Sequence, residues 1–270
     1  MDRVATILGA APSLADHLAR TPSAIEGLLV PEAPGDIGRL IKARLGDARE
    51  LEDAISIIRA TVREEEFSVS VATLEGRMDA DAAGLARTAL ADAALAALLP
   101  RVTADFARRF GRVKRGSMVL VMLGKAGGRE MMAGSDLDLM FIYDHPPEMT
   151  QSSGKRPLPA SQWFIRAVHA YVAAMTAPDA DGPMFAVDMR LRPSGNKGPV
   201  AVPLAGFEKY HATEAWTWER MALTRARVVA GPRPLRLKVE AAIARAIASS
   251  GAAEKIRRDA AAMRQRLLKD

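Results

Sequence analysis

The chain contains no cysteine and only four histidines in 270 residues. Without cysteine there is no disulfide framework, no thiol nucleophile and no Cys-ligated zinc site. The histidines stand far apart and lack the spacing of metal ligands, so we assign none of them a catalytic role; they are His17, His145, His169 and His211. Aromatic residues make up only 5% of the chain. No RNA-binding motif accompanies them, so nucleic acid is not an expected partner.

Long apolar runs are also missing. The apolar stretch at the start is interrupted by Pro12 and has no cleavage-type ending, so no signal peptide is expected. No continuous apolar run approaches the roughly 20 residues that a membrane helix needs. These features, with the lack of cysteine, favour a soluble, cytoplasmic protein that has no membrane partner.

Charge is present but unevenly distributed along the chain. The net charge is +6. Residues 219–270 hold 13 Lys or Arg against 5 Asp or Glu, a local charge of +8, so the preceding 218 residues sum to −2. A basic segment of this kind can bind nucleic acid, an acidic protein or polyphosphate. A solvated helix face is an equally good interpretation.

The first 110 residues predict an all-helical segment. Apolar residues recur there at helical spacing; they are Leu14, Leu18, Ile25, Leu28, Leu29, Leu51, Ile55, Ile58 and Val62. Residues 79–110 are rich in alanine and leucine, which are strong helix formers. No cluster of potential ligands occurs in this segment, so it is interpreted as a helical linker or regulatory segment, for which simple packing is preferred over a role as a scaffold or relay. The length of the chain favours two domains, and we place them at residues 1–110 and 111–270.

Four strands are predicted in the second domain. Residues 117–123 (SMVLVML) and 134–143 (GSDLDLMFIY) contain continuous apolar runs that are typical of strands buried on both faces. Residues 184–191 form the third predicted strand. A short fourth strand at residues 199–202 is expected to pair with the third.

Helices and one long loop separate these strands. Residues 145–160 carry four prolines and are interpreted as an exposed, mobile loop near the mouth of any site. An apolar stripe at helical spacing predicts a helix over residues 162–175. From residue 204 onward the pattern is helical again, with a break at residues 231–234.

Three aspartates are the candidate catalytic groups. Side chains alternate along a strand, so Asp136 and Asp138 are expected on the same face. Two carboxylates this close repel each other unless a cation or proton lies between them. The third strand carries Asp188, with Arg190 and Arg192 on its same face. If this strand lies beside the first pair, the three carboxylates converge and provide oxygen ligands that suit two Mg²⁺ or Mn²⁺ ions.

A glycine-rich turn precedes the first two aspartates, at residues 124–130 (GKAGGRE). Gly127 and Gly128 allow close backbone approach to a phosphate, and their successive amides are candidates for an anion-binding nest. Lys125 and Arg129 flank the turn and are candidates to neutralise triphosphate charge.

This order of elements resembles the nucleotidyltransferase fold shared with β-type DNA polymerases. The resemblance implies an α+β fold, in which a small mixed sheet is flanked by helices and is preceded here by the all-helical segment. Such sites use a Gly-Gly or Gly-Ser turn. Because the turn here is Gly-Gly, Ser135 beside Asp136 is the candidate for a serine contact with phosphate.

Longer strings are similar to the glutamine synthetase adenylyltransferases. They are residues 124–130 (GKAGGRE), 134–139 (GSDLDL), 188–195 (DMRLRPSG), 214–220 (EAWTWER) and 223–231 (LTRARVVAG). The similarity covers about residues 111–231. Members of this family are several times longer and carry two such domains, so the chain is expected to be a fragment.

The resemblance implies a reaction and a set of partners. In this family the N-terminal domain removes AMP by phosphorolysis and the C-terminal domain adds it from ATP, and residues 192–195 and 216–219 are more similar to the C-terminal copy. The implied reaction transfers AMP from ATP to a tyrosine hydroxyl of glutamine synthetase and releases pyrophosphate. The implied cofactor is a pair of Mg²⁺ ions, or Mn²⁺. Glutamine synthetase and, for the full-length enzyme, the PII nitrogen-signalling protein are the implied partners.

The resemblance also implies roles for individual residues. Asp136 and Asp138 would hold both metal ions, and Asp188 would complete the site and help to deprotonate the incoming tyrosine. Phosphate contacts are implied for Arg190 and Arg192. Two further arginines, Arg225 and Arg227, are candidates for phosphate contacts or for salt bridges within the domain. Trp216 and Trp218, with Glu219, are expected to anchor a helix against the sheet.

Three alternatives remain open from the sequence. The first is the phosphorolytic, AMP-removing copy of the same enzyme. The second is a nucleotidyltransferase that acts on nucleic acid, and the third is a regulatory module that binds nucleotide without catalysis.

Overall fold

The structure is a computed structural model that describes residues 9, 15, 18, 19, 35–46, 48–179, 182–249 and 251–268. The first predicted helical run, at residues 14–29, falls almost wholly outside the described residues. The elements in chain order are α1 (Ile37–Leu45), α2 (Leu51–Leu74), α3 (Ala80–Phe110), β1 (Ser117–Met122), α4 (Gly124–Gly127), β2 (Leu137–Asp144), α5 (Ala160–Thr176), β3 (Val187–Asp188), a 3₁₀ turn (Gly195–Lys197), β4 (Ala201–Pro203), α6 (Leu204–Thr213), α7 (Thr217–Leu223), β5 (Arg227–Ala230), α8 (Arg233–Ala248) and α9 (Ala253–Leu267).

The strands form one mixed five-stranded sheet in the order β3-β2-β1-β5. β1 pairs antiparallel with both β2 and β5. Along the other edge of β2, β3 pairs with its first residues and β4 with its later residues, both in parallel. The predicted α+β fold, a small mixed sheet with flanking helices after a helical segment, is confirmed.

Three strand predictions need correction. The third strand, predicted over residues 184–191, is reduced to Val187–Asp188. The fourth strand pairs with β2 and not with the third, because both strands use the same edge of β2. The strand β5 (Arg227–Ala230) was missed, since its four residues lie between helices with no glycine or proline before them.

Both faces of the sheet are covered by helices within the domain that contains it. One face packs against α6, α7 and α8 in a cluster of buried side chains; it includes Val119, Val121, Met140, Ile142, Phe207, Leu223, Val239 and Ile243. On the other face, Phe141 meets Tyr171 of α5 edge to face at 5.3 Å, and Tyr143 stacks on Phe164 at 4.3 Å. Each of these buried aromatic rings contributes about 1.5–3 kcal/mol by leaving water. The predicted helix at residues 162–175 is confirmed as α5.

The chain divides into two compact units. One comprises residues 1–101, 129–135 and 173–186, and the other comprises residues 102–128, 136–172 and 187–270. In the first unit, Arg59 and Arg63 of α2 both form ion pairs with Asp179, at 3.0 and 2.6 Å. The sheet belongs to the second unit. The predicted domain boundary after residue 110 stays a prediction.

Helix α3 is 31 residues long and is apolar enough to cross a membrane by length and composition alone. The sequence did not predict this, because charged residues interrupt the apolar pattern. In the structure 56% of its most apolar stretch is buried inside the protein. A single helix of this kind is weak evidence for a membrane span, because a core helix passes the same test of length and composition, and the absence of a membrane partner stays a prediction.

The proline-rich loop at residues 145–160 is attached to the chain before β1. Ser152 is buried, and its hydroxyl donates to the carbonyl of Phe110 at 2.6 Å. At Gly111, where φ is +69°, a Cβ atom would lie 1.2 Å from the carbonyl oxygen of Ser153, so only glycine fits there. The loop leaves β2 at Asp144, about 20 Å along an extended strand from Asp138. Its predicted place beside the aspartates is therefore wrong.

Candidate active site

The register of the sheet brings two of the three predicted aspartates together. In the parallel pairing of β2 and β3, Asp138 lies directly opposite Asp188. Asp136 immediately precedes β2, two residues before Asp138, and its charge acts on that of Asp138. The three carboxylates are therefore neighbours at the start of β2.

Alternation along β2 decides which way Asp138 faces. Leu137 and Leu139 on either side of it are fully buried, whereas Asp138 is partly exposed. The space for its carboxylate is provided by Gly124, because a Cβ atom on that residue would lie 1.9 Å from Asp138 Oδ2. Gly124 also has a φ of +55°, which favours glycine. The glycine turn thus makes room for a carboxylate.

Electrostatics at the site disfavour the charged form of Asp138. Burial raises the pKa of Asp138 above its ordinary value, and the charges of Asp136 and Asp188 raise it further. Arg190 and Lys125 act in the opposite direction but do not cancel the effect. A carboxylate in this position is stabilised by an additional cation.

Asp188 has a different environment because Arg190 binds it. The guanidinium Nε of Arg190 donates to Asp188 Oδ2 at 2.7 Å, and the backbone N–H of Arg190 donates to Oδ1 at 2.7 Å. The side-chain hydrogen bond from Arg190 is the main cause that lowers the pKa of Asp188. Asp188 is therefore ionised at neutral pH.

The carboxylates suit Mg²⁺ or Mn²⁺ in their chemistry. All three side chains offer carboxylate oxygens, which these ions prefer. The space beside Gly124 admits the carboxylate of Asp138. Among the residues that the structure describes, no three His, Cys, Asp or Glu side chains are gathered closely enough to hold a metal ion. Asp188 is the member that is engaged elsewhere, by Arg190. The donor set suits these ions in its chemistry, and the ligand assignment stays a prediction.

The glycine turn forms a single helical turn, α4. The N–H of Gly127 donates to the carbonyl of Leu123 at 2.7 Å, and the N–H of Gly128 donates to that of Gly124 at 3.1 Å. Both amides are already paired within the turn, and the predicted phosphate contacts of Gly127 and Gly128 stay predictions. Lys125 on this turn is exposed, and its charge reaches Asp138.

Arg227 holds this turn in place. Its Nε donates to the carbonyl of Gly127 and its Nη2 donates to that of Ala126, both at 2.9 Å. The backbone of Arg225 also approaches closely, since a Cβ atom on Gly127 would lie 2.1 Å from the Arg225 carbonyl oxygen. Gly127 is needed for this packing between the turn and the start of β5.

Arg192 fastens the loop that follows β3. It is 8% exposed, and its guanidinium donates to the carbonyls of Met189 and Gly198. These bonds occupy the group that was predicted to contact phosphate. Its structural role is therefore clear, whereas the phosphate contact stays a prediction.

Arg129 and Ser135 belong to the first unit of the chain. Arg129 has a φ of +62°, a left-handed conformation that is uncommon for a residue with a side chain. The hydroxyl of Ser135 accepts a hydrogen bond from the N–H of Met132 at 3.1 Å, which closes a short turn. The predicted phosphate contacts of both residues stay predictions.

A hydrogen-bonded network around Glu219 was not found from the sequence. Glu219 accepts from the hydroxyl of Tyr210 and from the N–H of Trp216, both at 2.8 Å. The backbone of Ser194, whose φ is +63°, also bonds to Tyr210. The only signal in the sequence was a glutamate at the third position of a helix. The network joins the loop after β3 to the start of α7.

The expectation that two tryptophans anchor a helix on the sheet is wrong. Trp216 is 71% exposed and Trp218 is 44% exposed. Helix α7 is held instead by Glu219 at its first turn, and by Thr217, whose hydroxyl donates to Asp259 of α9 at 2.5 Å. Both tryptophans therefore present apolar surface to solvent.

Comparison with known proteins extends these observations. The family model described as "Glutamate-ammonia ligase adenylyltransferase" matches residues 1–242. Bifunctional glutamine synthetase adenylyltransferase/adenylyl-removing enzymes are similar over nearly the whole chain. That of Mesorhizobium japonicum is 41% identical over 99% of this chain, and that of Brucella suis is 39% identical over 96%. The matched parts amount to only 28% and 27% of those relatives, so the chain spans about a quarter of their length.

Proposed function

The chain belongs to the glutamate-ammonia ligase adenylyltransferase family, and on this basis we propose that it transfers AMP from ATP to a tyrosine hydroxyl of glutamine synthetase. In this reaction the phenol oxygen attacks the α-phosphorus of ATP. A new oxygen–phosphorus bond forms, the bond to the bridging oxygen breaks, and pyrophosphate leaves.

The observation that carries the proposal is the pairing of Asp138 with Asp188, with Asp136 beside them. Transfer of a nucleotidyl group needs concentrated negative charge on the protein to hold the cations that offset the charge of a triphosphate. Three neighbouring carboxylates meet that need. Asp136 and Asp138 would hold two Mg²⁺ or Mn²⁺ ions, and Asp188 would complete the site. When bound, such ions stabilise the attacking and leaving oxygens of an in-line displacement.

The remaining roles fall to this chain's own groups. Asp188 is the proposed acceptor of the tyrosine proton, a role that the resemblance to the family implies. Lys125 is exposed on the glycine turn and acts electrostatically on Asp138, so it is the proposed contact for the β- and γ-phosphates. Arg227 and Gly127 keep that turn in place and act as positioning residues.

The partners and location of the whole protein are part of the proposal. The relatives' names specify glutamine synthetase as the target of those enzymes. We propose the same target here, with the PII nitrogen-signalling protein as the regulator of a longer enzyme and the cytoplasm as its location.

The reverse reaction is the second candidate, because the relatives' names include an adenylyl-removing activity. The removing reaction uses phosphate to release ADP from modified glutamine synthetase. We propose the adding direction, on the grounds that residues 192–195 and 216–219 are more similar to the adding copy.

Two parallel assays separate the directions. In one, the chain is incubated with unmodified glutamine synthetase, ATP and Mg²⁺, and in the other with modified glutamine synthetase and phosphate. Modification in the first assay, with little release of ADP in the second, is the expected result. Faster release of ADP than modification would reverse the proposed direction and leave the three-aspartate site intact. Asp136→Asn is the control that should be inactive in both assays.

A further inference from the structure

Arg190 lies against the carboxylates that the proposed function assigns to divalent cations. Its Nε and Nη2 approach the same oxygen, Asp188 Oδ2, at 2.7 and 2.5 Å. Its charge also acts on Asp136 and Asp138. One guanidinium thus serves as a counter-ion for all three carboxylates.

The exposure of the two partners differs sharply. The side chain of Arg190 is 72% exposed, whereas that of Asp188 is only 14% exposed. The guanidinium therefore approaches from the solvent side. It can leave Asp188 by rotating its side chain, without opening the core of the domain.

Arg190 and a metal ion would compete for the same oxygen of Asp188, Oδ2. A Mg²⁺ ligand oxygen lies about 2.0–2.1 Å from the ion, and the two guanidinium nitrogens occupy the approach to Oδ2. A guanidinium and a divalent cation at one oxygen would also repel each other.

We propose that Arg190 is a stand-in cation, which neutralises the three carboxylates in the metal-free protein and is displaced from Asp188 when a divalent cation binds. This inference rests on the proposed function, because that function requires the metal ions. Once displaced, the guanidinium is available for the phosphates of the nucleotide, for which its planar fork is suited. Arg190 would then exchange the carboxylate of Asp188 for a phosphate of the nucleotide during each catalytic cycle.

The test is a calorimetric titration of the 270-residue chain with Mn²⁺ in the absence of nucleotide. Arg190→Gln removes the competing charge, and we expect it to bind Mn²⁺ about threefold to fivefold more tightly than the wild type, as expected for loss of an exposed ion pair. Lys197→Gln is the matched control, because it removes an exposed positive charge from the same loop. Its affinity should stay within about twofold of the wild type.

Thermal unfolding provides the second measurement. Without metal, Arg190→Gln should unfold at a lower temperature than the wild type, because the carboxylates lose their counter-ion. Saturating Mn²⁺ should remove this difference.

The possible outcomes separate the inference from the function. If the wild type binds Mn²⁺, Asp138→Asn does not, and Arg190→Gln binds no more tightly, the exchange is refuted and the function stands. An equal increase in Mn²⁺ affinity in Lys197→Gln would also refute the exchange, because the loss of any positive charge from this loop would then explain the effect. If no form of the chain binds Mn²⁺ without nucleotide, the exchange fails, whereas the function is tested separately by AMP transfer with ATP and Mg²⁺.

Discussion

Substitution of Gly124 by alanine should disable the site through a single methyl group. The new Cβ would lie 1.9 Å from Asp138 Oδ2, whereas ordinary contact needs more than 3 Å, so the carboxylate must move by about 1 Å or more. A displacement of that size at a catalytic group costs roughly a hundredfold in rate. The left-handed backbone at Gly124 adds a folding cost of about 1–2 kcal/mol.

Gly76→Ala is the matched control for this backbone cost. Gly76 has a φ of +68°, and a Cβ atom there would meet nothing within 4 Å. Both variants should unfold about 2–8 °C below the wild type, which corresponds to about 1–2 kcal/mol for a protein of this size.

Rates of AMP incorporation and Mn²⁺ affinities then separate the two variants. Only Gly124→Ala should lose transfer and bind Mn²⁺ weakly. If Gly124→Ala transfers AMP and binds Mn²⁺ as well as Gly76→Ala does, the contact between Gly124 and Asp138 does not shape the site.

Three further predictions concern stability. Burial, with a smaller effect from the charge of Arg220, lowers the pKa of His211 to about 4. Unfolding therefore takes up a proton between about pH 6.5 and 4, and the free energy of unfolding should fall by about 1.4 kcal/mol for each unit by which the pH is lowered in that range. Denaturant titrations should find a smaller pH dependence in His211→Gln. Arg227→Ala should lower the free energy of unfolding by about 2–4 kcal/mol, because two hydrogen bonds to the glycine turn are lost, and Arg227→Lys should be intermediate. Equal denaturation midpoints for the wild type and Arg227→Ala would contradict this. The raised pKa of Asp138 means that its charge opposes folding at neutral pH. Metal-free Asp138→Asn should therefore be at least as stable as the wild type at pH 7 and lose that advantage in acid, and its rate of AMP transfer should fall about a thousandfold or more. A variant less stable than the wild type at pH 7 would contradict this electrostatic explanation.

The central strands and the aspartates were predictable because their signals are local. β1 and β2 are apolar runs beside glycines, and both form where the sequence predicted them. Alternation along a strand was enough to group Asp136 with Asp138. The partner of β4 was not predictable, because it depends on which edge of β2 is available. Strand β5 was not predictable either, because its four residues lie between helices with no glycine or proline before them and only its pairing with β1 defines it.

Side-chain partners were the least predictable feature. Arg190 and Arg192 stand two residues apart in one motif, yet one binds an aspartate at the surface and the other binds backbone carbonyls in the interior. The sequence gives both the same chemistry, and only the fold distinguishes them. The same holds for Trp216, whose apolar ring predicts burial although the structure exposes it.

We propose that the neighbouring carboxylates of Asp136, Asp138 and Asp188 support the transfer of AMP to a tyrosine. The most direct measurement is mass spectrometry of glutamine synthetase after incubation with the chain, ATP and Mg²⁺. The account predicts the addition of one AMP group to a tyrosine, and its loss when Asp136 and Asp138 are both replaced by asparagine. Equal modification by the wild type and the double variant would contradict the account.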